Sequence, residues 1–343
     1  MAEKGIIMIS QRELRRLSII HKVIDKRLKQ VDAANILCLS ERHIRRVTKK
    51  VRKEGCMGIV HKLRGKSSNR AIPKEKKEKA IELYKEKYRG FGPLLASEKL
   101  LEIDKVKLSD ETLRKWLIEK GEWKMKRRAR KHRQWRERKQ CFGEMVQMDG
   151  SHHDWLEGRG VELVLMGYID DATNNVFGRF YDYEGTTPAM DSLKRYIEKY
   201  GIPNSIYLDR HTTYKSHAKP TIEDELNNRK PLSQFERAAD ELGIEIIHAY
   251  SPQAKGRVER LFGTFQDRLI KEMRLKEIKG KEEANEFLEG YLPIYNQRFG
   301  VEPAKKTDLH RAVPKGLNLD DILCKKVERV LKKDFTISYE KKL

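Results

Sequence analysis

From residue 144 onward the apolar residues change period, and the order of elements that follows leaves few folds open. Three β-rich runs, 144–152, 161–170 and 176–183, come in succession, with Gly158-Arg159-Gly160 and Ala172-Thr173-Asn174-Asn175 between them. Short apolar runs bounded by Gly and Asn predict strands joined by hairpin turns. A helix at 187–200, a strand at 205–208, a helix at 234–242, a strand at 244–249 and an amphipathic helix from Gly256 to about 276 complete the order βββαβαβα. Residues 211–231 are polar and irregular, which predicts a surface insertion. A further helix at 281–298 carries Phe287, Leu288, Tyr291, Leu292 and Tyr295 on its buried side.

Three acids stand out in this order. Val146-Gln147-Met148-Asp149-Gly150 reads as a strand with one acid, and Ser205-Ile206-Tyr207-Leu208-Asp209 as a short apolar strand ending in one. Residues 251–262 read Ser-Pro-Gln-Ala-Lys-Gly-Arg-Val-Glu-Arg-Leu-Phe; Pro252 ends an extended segment and Gly256 opens the helix. Glu259 is the sole acid between Glu245 and Asp267, among Lys255, Arg257, Arg260 and Arg268. Taken alone it reads equally well as a surface ion pair. Two strand-borne aspartates upstream turn the reading toward a metal site. Asp170 and Asp171 read as turn formers at a strand end, and His152, His153 and Asp154 as turn polarity.

The first half of the chain has a different character. Of 74 Lys+Arg and 52 Asp+Glu, 42 and 18 fall in residues 1–140, leaving 32 against 34 for the rest. Such an asymmetry points to a polyanion held by the first half. Residues 11–53 read as three helices with Leu14, Leu17, Ile20 and Ile24 at helical spacing. Cys38-Leu39-Ser40 makes a tight turn, Ser40 caps the third helix, and Ile36, Leu39, Ile44 and Val47 are expected to fill the core. That third helix exposes Arg42, His43, Arg45, Arg46, Lys49 and Lys50, in helix-turn-helix spacing. A Gly/Lys/Ser linker follows, and then a second three-helix unit: 73–88, 93–103 and 109–120. Residues 124–139 hold ten Lys/Arg, Lys126, Arg127, Arg128 and Arg130 among them, against one acid, which predicts a phosphate-tracking linker. Cys38, Cys56, Cys141 and Cys324 form no CxxC pair, which fits a reducing compartment and neither a disulfide frame nor a zinc knuckle. With no signal peptide or spanning apolar run, the expected location is cytoplasmic.

Acids on the first and fourth strands and on the last helix of this order resemble the ribonuclease-H-like fold. More narrowly, the pattern resembles the retroviral-integrase superfamily of DDE transposases. Gln147-Met148-Asp149, Tyr207-Leu208-Asp209-Arg210-His211 and Ser251-Pro252-Gln253-Ala254-Lys255-Gly256-Arg257-Val258-Glu259-Arg260 carry the match. With the doubled helix-turn-helix and Asp308-Leu309-His310-Arg311, nearly the whole chain looks like the ISNCY group of insertion-sequence transposases. Two features depart from the superfamily pattern. The 49 residues between Asp209 and Glu259 exceed the usual spacing, and Arg210-His211 replaces the usual Asn-Gly. The polar stretch 211–231 accounts for the extra length.

The resemblance implies a multidomain protein. Its parts are an all-α helix-turn-helix domain (1–54), a linker (55–72), a second helix-turn-helix or winged-helix-like domain (73–122) and a basic linker (123–140). An α/β ribonuclease-H-like integrase core with a mixed five-stranded sheet spans 141–300. Strand-like runs at 326–331 and 335–339 are too few to close a core, so 301–343 is expected to be an incomplete small β segment, the start of a truncated β-barrel. Strand order 3-2-1-4-5 would set Asp149 beside Asp209, with Glu259 closing the site from its helix. Three such oxygen ligands suit Mg²⁺ or Mn²⁺. Two ions about 4 Å apart serve phosphodiester displacement. The implied function is DNA cleavage and 3′-hydroxyl strand transfer by a homodimer or larger homo-oligomer. Its partners would be terminal inverted repeats and target DNA, with Lys255 and Arg257 contacting DNA beside the site. A regulator with a dead core, a nuclease without joining activity, and an inactive truncated copy remain the alternatives.

Overall fold

The computed structural model describes residues 9–65, 71–124, 137–216, 231–248, 256–327 and 329. The chain divides into two compact units, Met1–Lys77 and Glu78–Leu343.

In the first unit, Ser10 and Glu13 cap α1 (Gln11–Ile24) reciprocally. The Ser10 N–H donates to the Glu13 carboxylate at 2.9 Å, and the Glu13 N–H donates to Ser10 Oγ at 3.4 Å. Helix α2 (Gln30–Leu37) ends at Cys38, whose φ of 53° reverses the chain into α3 (Glu41–Glu54). Ser40 Oγ accepts the His43 N–H at 3.3 Å and starts α3. Leu17, Ile20, Val23, Ala33, Ala34, Ile44 and Val51 form the core. Ile36, expected inside, is 47% exposed, and Leu14 of the helically spaced set is 56% exposed. Ile36 lies roughly 200° around α2 from buried Ala34, so the two cannot share a face. Past α3 the expected linker is folded: Gly55–Ile59 is a 3₁₀ turn with Ile59 buried in the same core. Gly58 permits this, since a Cβ there would stand 2.7 Å from the Lys50 backbone.

The second unit begins partway along a helix. Helices α4 (Lys74–Lys87), α5 (Pro93–Glu102) and α6 (Asp110–Glu119) surround Tyr84, Tyr88, Phe91, Leu95, Leu100, Leu113 and Leu117. The sheet follows: β1 (Val146–His153), β2 (Leu163–Asp170), β3 (Val176–Tyr181), β4 (Ser205–Leu208) and β5 (Glu245–His248), ordered β3-β2-β1-β4-β5. The three hairpin-linked strands pair antiparallel, and β1, β4 and β5 pair parallel. The sheet is therefore mixed, in the order expected from the resemblance.

Strand alternation sorts two cores onto two faces. Val164, Met166 and Tyr168 of β2 pack with α7 (Thr186–Tyr200) and α8 (Gln234–Glu241). Leu163, Leu165 and Ile169 pack with α9 (Gly256–Leu275) and α10 (Lys281–Phe299). A strand buried on both faces needs apolar residues throughout, and β2 reads Leu-Val-Leu-Met-Gly-Tyr-Ile-Asp.

Beyond Gly300 the chain returns over the first of these faces. Leu319 and Ile322 of α11 (Leu319–Ile322), with Leu323, are buried among the α7 and α8 side chains. Asp308-Leu309-His310-Arg311 is a clasp. His310 bonds Tyr196 Oη at 2.8 Å and Asp308 at 2.7 Å, and Arg311 donates to the carbonyls of Leu242 and Gly243. No strand occurs among the described residues of 301–343. The expected runs at 326–331 and 335–339 lie almost wholly outside the described residues, as do 217–230 of the insertion.

Candidate active site

The site is built from β1 outward. Val146 and Met148 point into the α7/α8 layer, so Gln147 and Asp149 face the α9/α10 layer. Gln147 is fully buried, and its amide works in both directions. Its Oε1 accepts the Val258 N–H at 3.3 Å, and its Nε2 donates to Asp171 Oδ1 at 3.0 Å. Val258 belongs to the first turn of α9, where N–H groups lack an intrahelical acceptor. Gln147 supplies one and pins the start of the helix that carries Glu259 to the face that carries Asp149.

A second contact fixes the same helix. Asp149 is paired across the ladder with Gly167 of β2. A Cβ on Gly167 would stand 2.7 Å from the ring of Phe262. Glycine at this point is what lets α9 settle on the sheet. Phe262 is one turn beyond Glu259, which is exposed in the first turn of α9.

Asp209 arrives from the other side. In the parallel ladder Gln147 is level with Tyr207, and the same register continued by two residues would set Asp149 level with Asp209, which directly follows β4. Both aspartates are half-buried. The Asp209 carboxylate accepts the His211 N–H at 2.9 Å, and its carbonyl meets His248 Nδ1 of β5 at 3.2 Å.

A third carboxylate, which the sequence did not single out, lies against this edge. Glu184 bonds His152 at 2.8 Å and accepts from Tyr214 Oη at 3.4 Å. A Cβ on Gly150 would stand 2.6 Å from the Glu184 carboxyl group. Burial pushes the Tyr214 phenol well above its ordinary range, and Glu184, Tyr168, Asp149 and Asp209 push the same way. The carboxylates of Glu184, Asp149 and Asp209 thus all lie near the Tyr214 phenol. Nothing local marks Glu184; it follows β3 by three residues and meets the site through sheet order alone. Among the described residues, no group of three or more His, Cys, Asp or Glu is gathered closely enough to hold a metal ion as it stands.

The other residues singled out from sequence are scattered. Arg42, Arg45, Arg46 and Lys49 are exposed on α3. His43 is half-buried, 3.1 Å from Arg46, and burial followed by Arg46 and Arg16 lowers its proton affinity. Lys50 donates to the Val60 carbonyl at 3.3 Å. Lys126, Arg127, Arg128, Arg130 and Lys255 lie outside the described residues, with all of 249–255. Arg257 is buried, its Nε 2.7 Å from Asp171 Oδ1. Asp170 accepts from the Gly143, Ala172 and Thr173 N–H groups and from Thr173 Oγ1, as a turn-forming carboxylate does. Burial pushes its carboxyl up. Asp154 accepts the Gly158 N–H at 3.0 Å.

No helix among the described residues is long and apolar enough to cross a membrane. No family model matches the chain. Among solved structures it is similar to a chain of the simian T-cell lymphotropic virus intasome in complex with PP2A regulatory subunit B56 gamma. That match is 18% identical, covers 74% of this chain and 80% of that one, and has a TM-score of 0.40. It is also similar to the HTLV-2 integrase catalytic core domain in complex with magnesium, at 17% identity, 43% and 84% coverage and a TM-score of 0.33. Sequence relatives reach much further. The chain is 39% identical to the candidate transposase y4bF of Sinorhizobium fredii (strain NBRC 101917 / NGR234) over 339 residues, 98% of this chain and 73% of that protein. It is 32% identical to the transposase for insertion sequence IS1202 of Streptococcus pneumoniae over 342 residues, 89% of this chain and 71% of that protein. Likeness of this degree along nearly the whole length, on a helical first half and a mixed five-stranded core, shows that the chain belongs to the insertion-sequence transposases.

Proposed function

We propose that this transposase cleaves DNA at the ends of an insertion sequence and transfers the freed 3′-hydroxyl to target DNA, using Asp149, Asp209 and Glu259. The observation that carries the reading is the parallel register of β1 and β4, with Gln147 level with Tyr207, which carried two residues on would set Asp149 beside Asp209. The Glu259 helix is tied to the Asp149 face through Gln147 and Phe262. Two adjacent carboxylates with a third on a helix start suit a hard divalent cation, Mg²⁺ or Mn²⁺. One or two such ions, when bound, would supply Lewis-acid activation of the attacking oxygen and charge stabilisation of the leaving one. The protein's part is positional. Asp149 and Asp209 offer oxygens from a rigid sheet edge, and Gln147 and Gly167 hold the third carboxylate's helix against it. No protein nucleophile is required, since water and then the DNA 3′-hydroxyl attack.

Supercoiled plasmid carrying the element's ends tests this directly. Nicking and joining should require Mg²⁺ or Mn²⁺ and stop with EDTA. Asp149→Asn, Asp209→Asn and Glu259→Gln should each lower cleavage roughly a hundredfold to a thousandfold with DNA retention unchanged. Cleavage by any of them within about tenfold of wild type would remove that residue from the site.

Recognition of the ends is assigned to the helical first half, with α3 as the reading helix because Arg42, Arg45, Arg46 and Lys49 lie exposed along it. Phosphate contacts release counterions, so Arg45→Ala should make the log–log salt slope of DNA binding shallower by about 0.9. An unchanged slope and affinity would take Arg45 off the DNA.

A further inference from the structure

Beside the start of the Glu259 helix is a cavity of about 200 Å³ with an excess of positive charge. Arg138, Arg257 and Arg260 line it, with Asn174, Thr264 and Tyr295. Each arginine comes from a different constraint. Arg138 ends the basic segment and is anchored by donating to the Ala172 carbonyl at 3.3 Å and to Asn174 Oδ1 at 2.8 Å. Arg257 is buried and spends its Nε on Asp171 at 2.7 Å. Its Nη2 is also buried, and no hydrogen-bond partner meets it among the described residues. Arg260 is one turn further along α9 and exposed.

For the folded chain alone this arrangement is costly. A buried donor without an acceptor costs about 1–3 kcal/mol, and three guanidinium groups around one small space repel. Burial, and after it the nearby Arg257, lowers the proton affinity of Arg138, and Arg260 adds to the same effect. Asp171 and Asp170 are the carboxylates that offset the charge on Arg138. The oxygens of Asp171 already accept from Gln147, Arg257 and the Lys139 N–H, and those of Asp170 from the Gly143, Ala172 and Thr173 N–H groups and Thr173 Oγ1. An anion with several acceptor oxygens would answer both the buried donor and the excess charge. Guanidinium forks match phosphate oxygens in geometry and in charge. Asp171 and Gln147 join the cavity wall to β1, where Gln147 precedes Asp149 by two residues, a rise of roughly 6.6 Å along the strand. A group held here is therefore close to the proposed cutting site without being part of it.

We propose that the Arg138–Arg257–Arg260 cavity binds one phosphodiester of the DNA backbone near the scissile bond, so that these arginines are positioning residues for the strand being cut. This rests on the DNA-cleaving function proposed above, and two measurements separate the failure of one from the failure of the other. The first uses inorganic phosphate and no DNA. Thermal unfolding of the full chain is followed in phosphate and in chloride of equal ionic strength. Phosphate should raise the wild-type midpoint by several degrees more than that of Arg260→Gln or Arg138→Gln. Arg260→Gln is the decisive variant, because the side chain is exposed and glutamine keeps its polar character while removing the charge. Equal shifts in wild type and Arg260→Gln would overturn the proposal, whatever the enzyme does with DNA.

The second measurement uses cleavage substrates with a neutral methylphosphonate at each phosphate flanking the cut in turn. At one position the substitution should slow wild type about tenfold and leave Arg260→Gln unaffected, because the charge it removes is one that the variant no longer senses. Arg260→Lys should recover part of the wild-type rate. If wild type cuts no substrate, the function proposed above fails and the phosphate measurement alone decides the cavity. If wild type cuts and every position slows both proteins equally, the cavity holds no backbone phosphate.

Discussion

At the scale of single residues, Gln147 shows how a site can depend on a side chain with no chemistry of its own. It lies between two acids in space: Asp171 takes its N–H, and two positions along the strand stands Asp149. Its carbonyl oxygen caps an N–H at the start of α9. Gln147→Leu keeps the volume and removes both bonds, leaving a buried N–H and one lost partner for Asp171. The expected cost is about 1–3 kcal/mol of stability, and a fall in cleavage of at least tenfold with DNA retention unchanged. Chemical denaturation and a nicking assay on one preparation check both. A variant that cuts at the wild-type rate would mean that Gln147 does not position the Glu259 helix.

At the scale of elements, the decisive contact is between α9 and β2. Helices reach a sheet at the distance their side chains allow, and here the ring of Phe262 occupies the space where Gly167 lacks a Cβ. Gly167→Ala puts a methyl group into that ring, and overpacking of this kind costs about 1–3 kcal/mol. If the cost is steric, Phe262→Leu in the same chain recovers most of it. Urea midpoints of the two single variants and the double variant give the coupling directly. Additive losses would show that Gly167 is kept for some reason other than the approach of α9. The element pattern itself was legible. Helices α1 to α6 and strands β1 to β5 fall within a few residues of their expected bounds, because each has its own local pattern and three of the helices a capping serine. The burial of Ile59 and the return of Leu319, Ile322 and Leu323 over the core were not, since Gly55–Ile59 and 301–323 carry no periodic signal.

At the scale of the second unit, the three helices α4 to α6 are joined to the sheet's layers by charge as well as by apolar packing. Glu98 of α5 accepts from Arg268 of α9 at 2.8 Å and from Arg298 of α10. Lys99 meets Glu272 of α9 at 2.6 Å. Burial pushes the Glu98 carboxyl up, and the bonds from Arg268 and Arg298 more than offset it, so it lies below the usual carboxylate range. A carboxyl lowered in the folded state stabilises fully above its unfolded value, near pH 4.3, and that contribution fades as pH falls through the folded value. Glu98→Gln should therefore destabilise the protein by about 1.5–3 kcal/mol at pH 7. The gap from wild type should shrink as the pH is lowered below about 4. Thermal unfolding of both proteins between neutral and acidic pH checks this. A gap that stays constant with pH would assign the loss to packing and not to charge.

What the sequence by itself determined about this protein is local. Strand runs alternate or stay apolar, Ser40 and Ser109 start helices, and Asp149, Asp209 and Glu259 are each the conspicuous acid of their segment. The excess of cations in residues 1–140 is likewise a property of composition. Pairing decided the rest. β4 docks parallel to β1 in the one register that, continued by two residues, would set Asp149 beside Asp209, and a shift of one residue would turn one of them to the other face. Glu184 reaches the site, and Arg138 reaches Arg257, across separations of tens to more than a hundred residues. No period or cap encodes such a meeting. It depends on which strand lies beside which, and so on the total apolar area that the layers can bury, which only the folded chain sums.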